Sequence, residues 1–378
     1  MAGRAYLDHA STSPTRPRAV EAMLPWFAAA ADPGRIHSEG HAARVAVEVA
    51  REQVAALLGA RSREVIFTSG ATESIVTATW MATERGDHVV VPAVEHSAVR
   101  EASARHRVTE VGVDRLGRVD PDAVLAAIEA GTALVHLQWG NHEVGTLQPV
   151  AEVVAACRQR GVLIHVDAAS AAGHVPIDFV GLDADLLSVS AHKLGGPPGV
   201  GALLVRRGLR LRPLLVGGDQ ERARRAGYEN VPGVAGFGAA AAVLAEGALD
   251  HEAADARRRI ARVTDAAASG ALGPGVDVLG DPDPGGRLPH LVCLAVAGVE
   301  AEPVLLGLDQ AGVAVHSGSS CSSESLEPSP VLEAMGVDAS RSLRASVGWS
   351  TTDDEVEAFC AALPGVVDRL LALGRPAG

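Results

Sequence analysis

Lysine is almost missing from this chain: of 33 basic residues among 378, Lys193 is the only lysine and the other 32 are arginine. A drift from lysine to arginine explains positions where a charge or a long stem is enough. It does not explain a lysine that is kept, because arginine cannot present a neutral amine at ordinary pH. Cysteine is also scarce, and the four at positions 157, 293, 321 and 360 have no paired spacing. That argues against a disulfide framework or a zinc knuckle and for free thiols in a reducing compartment. No uninterrupted apolar run approaches the roughly 20 residues of a bilayer span, and Met1 to Asp8 lack the apolar stretch of a secretory signal, so a cytoplasmic location is expected. An excess of acidic residues, 46 against 33, gives a net charge of -13. Such a surface repels phosphate backbones and anionic lipid, so neither nucleic acid nor a membrane is expected as a direct partner.

What remains is a chain that is 47% hydrophobic and 21% charged, long enough for two domains and a large core. Helical spacing of Val45, Val49, Val54, Leu57 and Leu58 predicts a helix over 41–60, and Val65 to Thr68 reads as a buried strand. Further strands are expected at 88–91, 133–137, 162–166, 186–190 and 201–205, with helices between most of them. That alternation argues for an α/β fold, a mostly parallel sheet with helices on both faces and ligands at the carboxyl ends of its strands. The texture changes near residue 250. A charged helix at 251–268, strands at 291–296 and 313–315, and helices at 302–311, 328–335 and 352–363 suggest a smaller α+β domain. The division expected is a large domain, 16–250, with 1–15 and 251–378 forming the small one.

Lys193 directly follows a predicted strand and precedes the turn Gly195-Gly196-Pro197-Pro198-Gly199, while Asp167 closes the neighbouring strand Val162 to Val166. Pyridoxal phosphate needs such a pair, an amine for a Schiff base and an acid that keeps the pyridine nitrogen protonated. Its phosphate has a candidate seat in Thr68-Ser69-Gly70-Ala71-Thr72-Glu73-Ser74, a strand, a glycine turn and a helix start. Alone, that pattern is an ordinary N-cap.

The chain resembles the cysteine desulfurases among the class V, fold type I pyridoxal-phosphate enzymes. The likeness is carried by Tyr6-Leu7-Asp8, Thr68 to Ser74, Glu95-His96, Asn141 to Gly145, His165 to Ala168, Ser190 to Lys193, Gly217 to Arg222, Ser317 to Ser322 and Ser342 to Ser346. The resemblance implies Lys193 as the Schiff-base lysine, Asp167 at the pyridine nitrogen, His96 stacked on the ring, and Asn141 and Ser170 on the ring-hydroxyl side. It implies phosphate contacts from Ala71, Thr72, Ser190 and His192, and from Tyr228 of a second subunit, drawn by Arg222, Arg224 and Arg225. Arg344 would grip the substrate carboxylate, with Asn141 nearby, and Cys321 would be the nucleophile. Implied overall are pyridoxal 5′-phosphate as cofactor, L-cysteine as substrate, L-alanine as product, a persulfide on Cys321, and a homodimer. The sulfur acceptor is left open among an iron-sulfur scaffold, a tRNA thiolation enzyme and a sulfur carrier. Ser170 stands where the family usually has glutamine, and Tyr228 where it has threonine. The other readings are a class V aminotransferase, a cysteine or selenocysteine lyase without a persulfide, and a catalytically silent partner protein. Cys157, Cys293 and Cys360 are expected to be core residues.

Overall fold

Strands with apolar residues at consecutive positions must be covered on both faces, and that requirement organises this chain. The computed structural model describes residues 3–210, 212–317 and 328–373. Its strands are β1 (Ala5–Tyr6), β2 (Val65–Thr68), β3 (His88–Pro92), β4 (Arg107–Val111), β5 (Thr132–Gln138), β6 (Leu163–Asp167), β7 (Leu186–Ser190), β8 (Gly201–Val205), β9 (Val276–Leu279), β10 (Leu291–Val296), β11 (Val313–Ala314) and β12 (Ser342–Ser346).

A seven-stranded sheet has the order β2-β8-β7-β6-β5-β3-β4, and β8 alone runs against its neighbours. Alternate residues feed two cores. Val166, Leu187 and Val189 face one, where the helices Ser38–Leu57 and Val231–Val243 pack, and Leu134, Leu163 and Leu186 face the other, under the helix Ala71–Ala82. A third core surrounds the antiparallel sheet β12-β10-β9, fed by Leu7, Ile260, Phe359 and Val367. The parallel pair β1–β11 and the bridge between Asp8 and Ser346 fasten the N-terminal segment to this smaller sheet.

The expected helix 41–60 runs instead from Ser38 to Leu57, because the His37 side chain caps it by accepting from Gly40 N at 3.2 Å. The last helix continues through Pro364 to Leu373, ten residues past the expected end at 363. The helical run Val231–Ala268 is long and apolar enough to cross a membrane, but 56% of its 18-residue apolar stretch is buried inside the protein, as in a core helix.

Gly201 begins β8 beside the glycine turn that follows β2. A Cβ there would lie 2.5 Å from Val189 O and 2.7 Å from Gly70 Cα, both backbone atoms that cannot swing aside. Gly201→Ala is therefore expected to lower stability by about 1–3 kcal/mol, read as a fall in the thermal midpoint. An unchanged midpoint would show that β8 and the turn are not held this closely.

Candidate active site

Because β5, β6 and β7 are parallel and in register, their carboxyl ends bring Gln138, Asp167 and Ser190 to one edge of the sheet. A cavity of about 440 Å³ opens there. Lys193 reaches it from the tight turn after β7, and its ammonium donates to the carbonyl of Ala10 in the N-terminal segment. Asp167 is buried; one oxygen accepts from Ala169 N at 2.9 Å.

The opposite wall is the N-terminus of the 12-residue helix Ala71–Ala82, where Ala71 and Thr72 line the cavity. No side chain caps that end, so its first backbone N–H groups suit an anion. Ser190 and His192 border the same space, and burial beside Lys193 pulls the His192 ring down to about 4, keeping it neutral. Ser170 also lines the cavity.

His96 is both a helix cap and a cavity wall. Its Nδ1 accepts from Ala98 N at 3.0 Å, so its ring N–H is on Nε2. Its ring meets His142 edge-on with centroids 5.1 Å apart. His142 sits on a turn that Asn141 builds, since Asn141 Oδ1 accepts from the N–H groups of Glu143 and Val144, each at 2.8 Å.

Arg344 is 1% exposed, an unusual depth for a guanidinium. One amino group donates to His142 O at 2.7 Å; the other reaches Ser11 Oγ at 2.7 Å and Asp8 Oδ1 at 3.1 Å. Its Nε is buried without a partner, so this residue of the cavity lining keeps one unused donor.

Some expectations land elsewhere. Asn141 is fully buried outside the cavity lining, and its amide donates to Val94 O at 3.2 Å, so it shapes the turn rather than facing the open space. Tyr228 lies outside this cavity too, and its hydroxyl donates to Ala31 O at 2.7 Å; a contact to a second subunit's phosphate would require that bond to break. The arginines beside it are engaged: Arg222 with Glu48, Arg225 with Glu73, and Arg224 with the carbonyls of Arg63 and Val65. Cys321 lies outside the described residues. Among the described thiols, burial pushes Cys157 and Cys293 up to about 12, which leaves them poor nucleophiles, and Cys360 is raised by the same cause.

The polar cavity residues Ser11, Gln138 and His142 were given no role from the sequence. Glu95 was also given no role, and it sits behind the lining residue Gln138. It is fully enclosed, one oxygen accepts from Gln138 N at 2.6 Å, and the other has no partner. Burial, reinforced by the charge of Asp167, pushes its carboxyl up to about 8.

The Aminotransferase class-V family profile matches residues 5–359. The chain belongs to that family. It is 41% identical over 379 residues to a cysteine desulfurase of Gluconacetobacter diazotrophicus, covering 97% of this chain and 94% of the relative. It is 38% identical to the cysteine desulfurase IscS of Dictyoglomus turgidum, covering 98% and 96%. Among solved structures, a NifS-like protein superposes with a TM-score of 0.89 at 30% identity over 97% of this chain and all of that one. A structure described as SspA in complex with cysteine gives a TM-score of 0.79 at 27% identity over 92% of this chain and all of that one.

Glu95 yields a pH test. Its folded-state value near 8 lies above the ordinary 4.5, so the folded protein keeps a proton that the unfolded chain releases in between. The stability this gives is complete below about 4.5 and is lost as pH rises toward 8. Glu95→Gln keeps a neutral acceptor for Gln138 N and should lose that decline. Urea unfolding at pH 5 and pH 8, without cofactor, should favour the variant progressively over the parent; parallel pH dependences would contradict the assignment.

Proposed function

We propose that this chain is a cysteine desulfurase: it binds L-cysteine, releases L-alanine, and holds the sulfur as a persulfide on Cys321 before passing it to an acceptor. The observation that carries the reading is Arg344. A guanidinium held by Asp8, Ser11 and the His142 carbonyl, with Nε unused, is built for a small carboxylate, and it shares one cavity with the only lysine.

The residues present suit pyridoxal 5′-phosphate. The uncapped helix N-terminus at Ala71 and Thr72, with Ser190 and His192, suits the phosphate; Asp167 suits the ring nitrogen; Lys193 supplies the amine; Ser170 stands at the wall for the ring-hydroxyl side. When bound, the cofactor supplies an electron sink for the carbon that loses its proton.

The chain's own groups do the rest. Arg344 fixes the substrate carboxylate, and its planar fork fixes the orientation of Cα with it. Lys193 takes the Cα proton and is the donor that returns one. His96, with Nδ1 accepting from Ala98 N–H, acts through Nε2–H as a proton donor toward the reacting sulfur. The Cys321 thiolate attacks the substrate sulfur; the sulfur–sulfur bond forms as the substrate carbon–sulfur bond breaks, and a proton added at carbon completes alanine. A homodimer in the cytoplasm, delivering sulfur to an iron-sulfur scaffold, a tRNA thiolation enzyme or a sulfur carrier, fits this chemistry.

Incubation with L-cysteine and no acceptor should add one sulfur to the peptide containing Cys321 and none to those containing Cys157, Cys293 or Cys360, as read by mass spectrometry. Cys321→Ala should abolish alanine production. Unimpaired alanine production by that variant would favour a lyase that needs no protein persulfide.

A further inference from the structure

The sheet face bearing Asp167 is otherwise an apolar layer of Leu134, Leu163, Leu186, Ile75 and Ala78 under the helix Ala71–Ala82. Through this layer runs a line of buried polar groups. Ser188 Oγ is 2.7 Å from His165 Nε2, His165 Nδ1 is 2.9 Å from His136 Nδ1, His136 Nε2 is 3.2 Å from Thr79 Oγ1, and Thr79 Oγ1 is 2.9 Å from the carbonyl of Ile75. Both rings are fully buried, as is Ser188. Pairing across the sheet explains the alignment: His136 lies opposite His165, and Ser188 opposite Asp167, with all four side chains on one face.

The end of the line decides its direction. A carbonyl only accepts, so Thr79 donates to Ile75 and must accept from His136, whose proton is then on Nε2. His136 Nδ1 is left as an acceptor, His165 carries its proton on Nδ1, and His165 Nε2 accepts from Ser188. The reverse direction would leave the Ile75 contact unmade. A single hydrogen fits between two facing Nδ1 atoms, so His136 cannot gain a second proton without two N–H groups colliding, and a second proton on His165 Nε2 would displace the Ser188 donation. Burial acts the same way, pulling His136 down to about 3 and His165 well below its ordinary value.

We propose that Ser188, His165, His136 and Thr79 are positioning residues that form a one-way hydrogen-bond relay, fixing both histidine tautomers and committing the Ser188 proton to His165, so that the neighbouring Asp167 carboxylate stays available to the group bound in the cavity. Asp167 already has one oxygen on Ala169 N, and a second local donor would compete for the other. The relay itself rests on the geometry; its effect on binding rests on the cofactor reading above.

Thr79→Val tests it far from the cavity. The shape is kept, but the far-end hydroxyl is gone, and His136 Nε2–H would face a methyl group. The remaining groups recover their bonds by reversing: His136 donates from Nδ1, His165 donates from Nε2, and the Ser188 proton turns to Asp167. Histidine ¹⁵N shifts of the full chain without cofactor, assigned with His136→Gln and His165→Gln, should show Nε2–H on His136 and Nδ1–H on His165 in the parent. Both should invert in Thr79→Val and return in Thr79→Ser. Titration with pyridoxal phosphate should show affinity about fivefold weaker for Thr79→Val, as expected for one hydrogen bond, and restored by serine. Opposite tautomers in the parent, unchanged tautomers in the valine variant, or inversion with unchanged affinity would each overturn the relay. A parent with the stated tautomers that binds no pyridoxal phosphate would support the relay and contradict the function proposed above.

Discussion

Parallel pairing of β5, β6 and β7 is the constraint on which the site depends. In-register parallel strands end together, so Gln138 and Asp167 face one space without any loop having to carry them there. The helix Ala71–Ala82 crosses the same strands and points its uncapped N-terminus at that edge. Acid, amine and anion seat are thus set by sheet geometry. Arg344, and Ser11 that holds its fork, come from elsewhere in the chain.

Those groups show how the smaller sheet contributes. Arg344 lies within β12, paired with β10, and the N-terminal segment that holds its fork is fastened to the same layer through β1, β11 and the bridge from Asp8 to Ser346. A guanidinium at this depth costs desolvation, and three fixed acceptors offset it. The outcome is a buried, firmly held cation at the cavity in a chain of net charge -13.

Sequence patterns were legible where burial was uniform. β7, β8 and β10 lie where apolar runs place them, at 186–190, 201–205 and 291–296. β4 escaped notice because it is an edge strand with exposed Arg107, Val108 and Glu110. β12 escaped notice for the opposite reason: Ser342, Arg344 and Ser346 are polar yet fully buried, and no hydropathy pattern expresses that. Lys193 stood out by scarcity and Asp167 by its place at a strand end. The roles given to His96 and Arg344 came from the family resemblance. Asn141 was read as a cavity residue because its motif was recognised before the turn it builds could be seen. His136 and His165 resemble core residues in apolar runs, and only the paired register shows that they meet.

The most direct test of the account uses the single lysine. The protein, isolated with pyridoxal phosphate and reduced with borohydride, offers two amines in all, Lys193 and the α-amino terminus. Peptide mapping should find the cofactor fixed to the peptide containing Lys193 and to no other. Label on a peptide lacking Lys193, or none at all, would contradict the site built here from the ends of β5, β6 and β7.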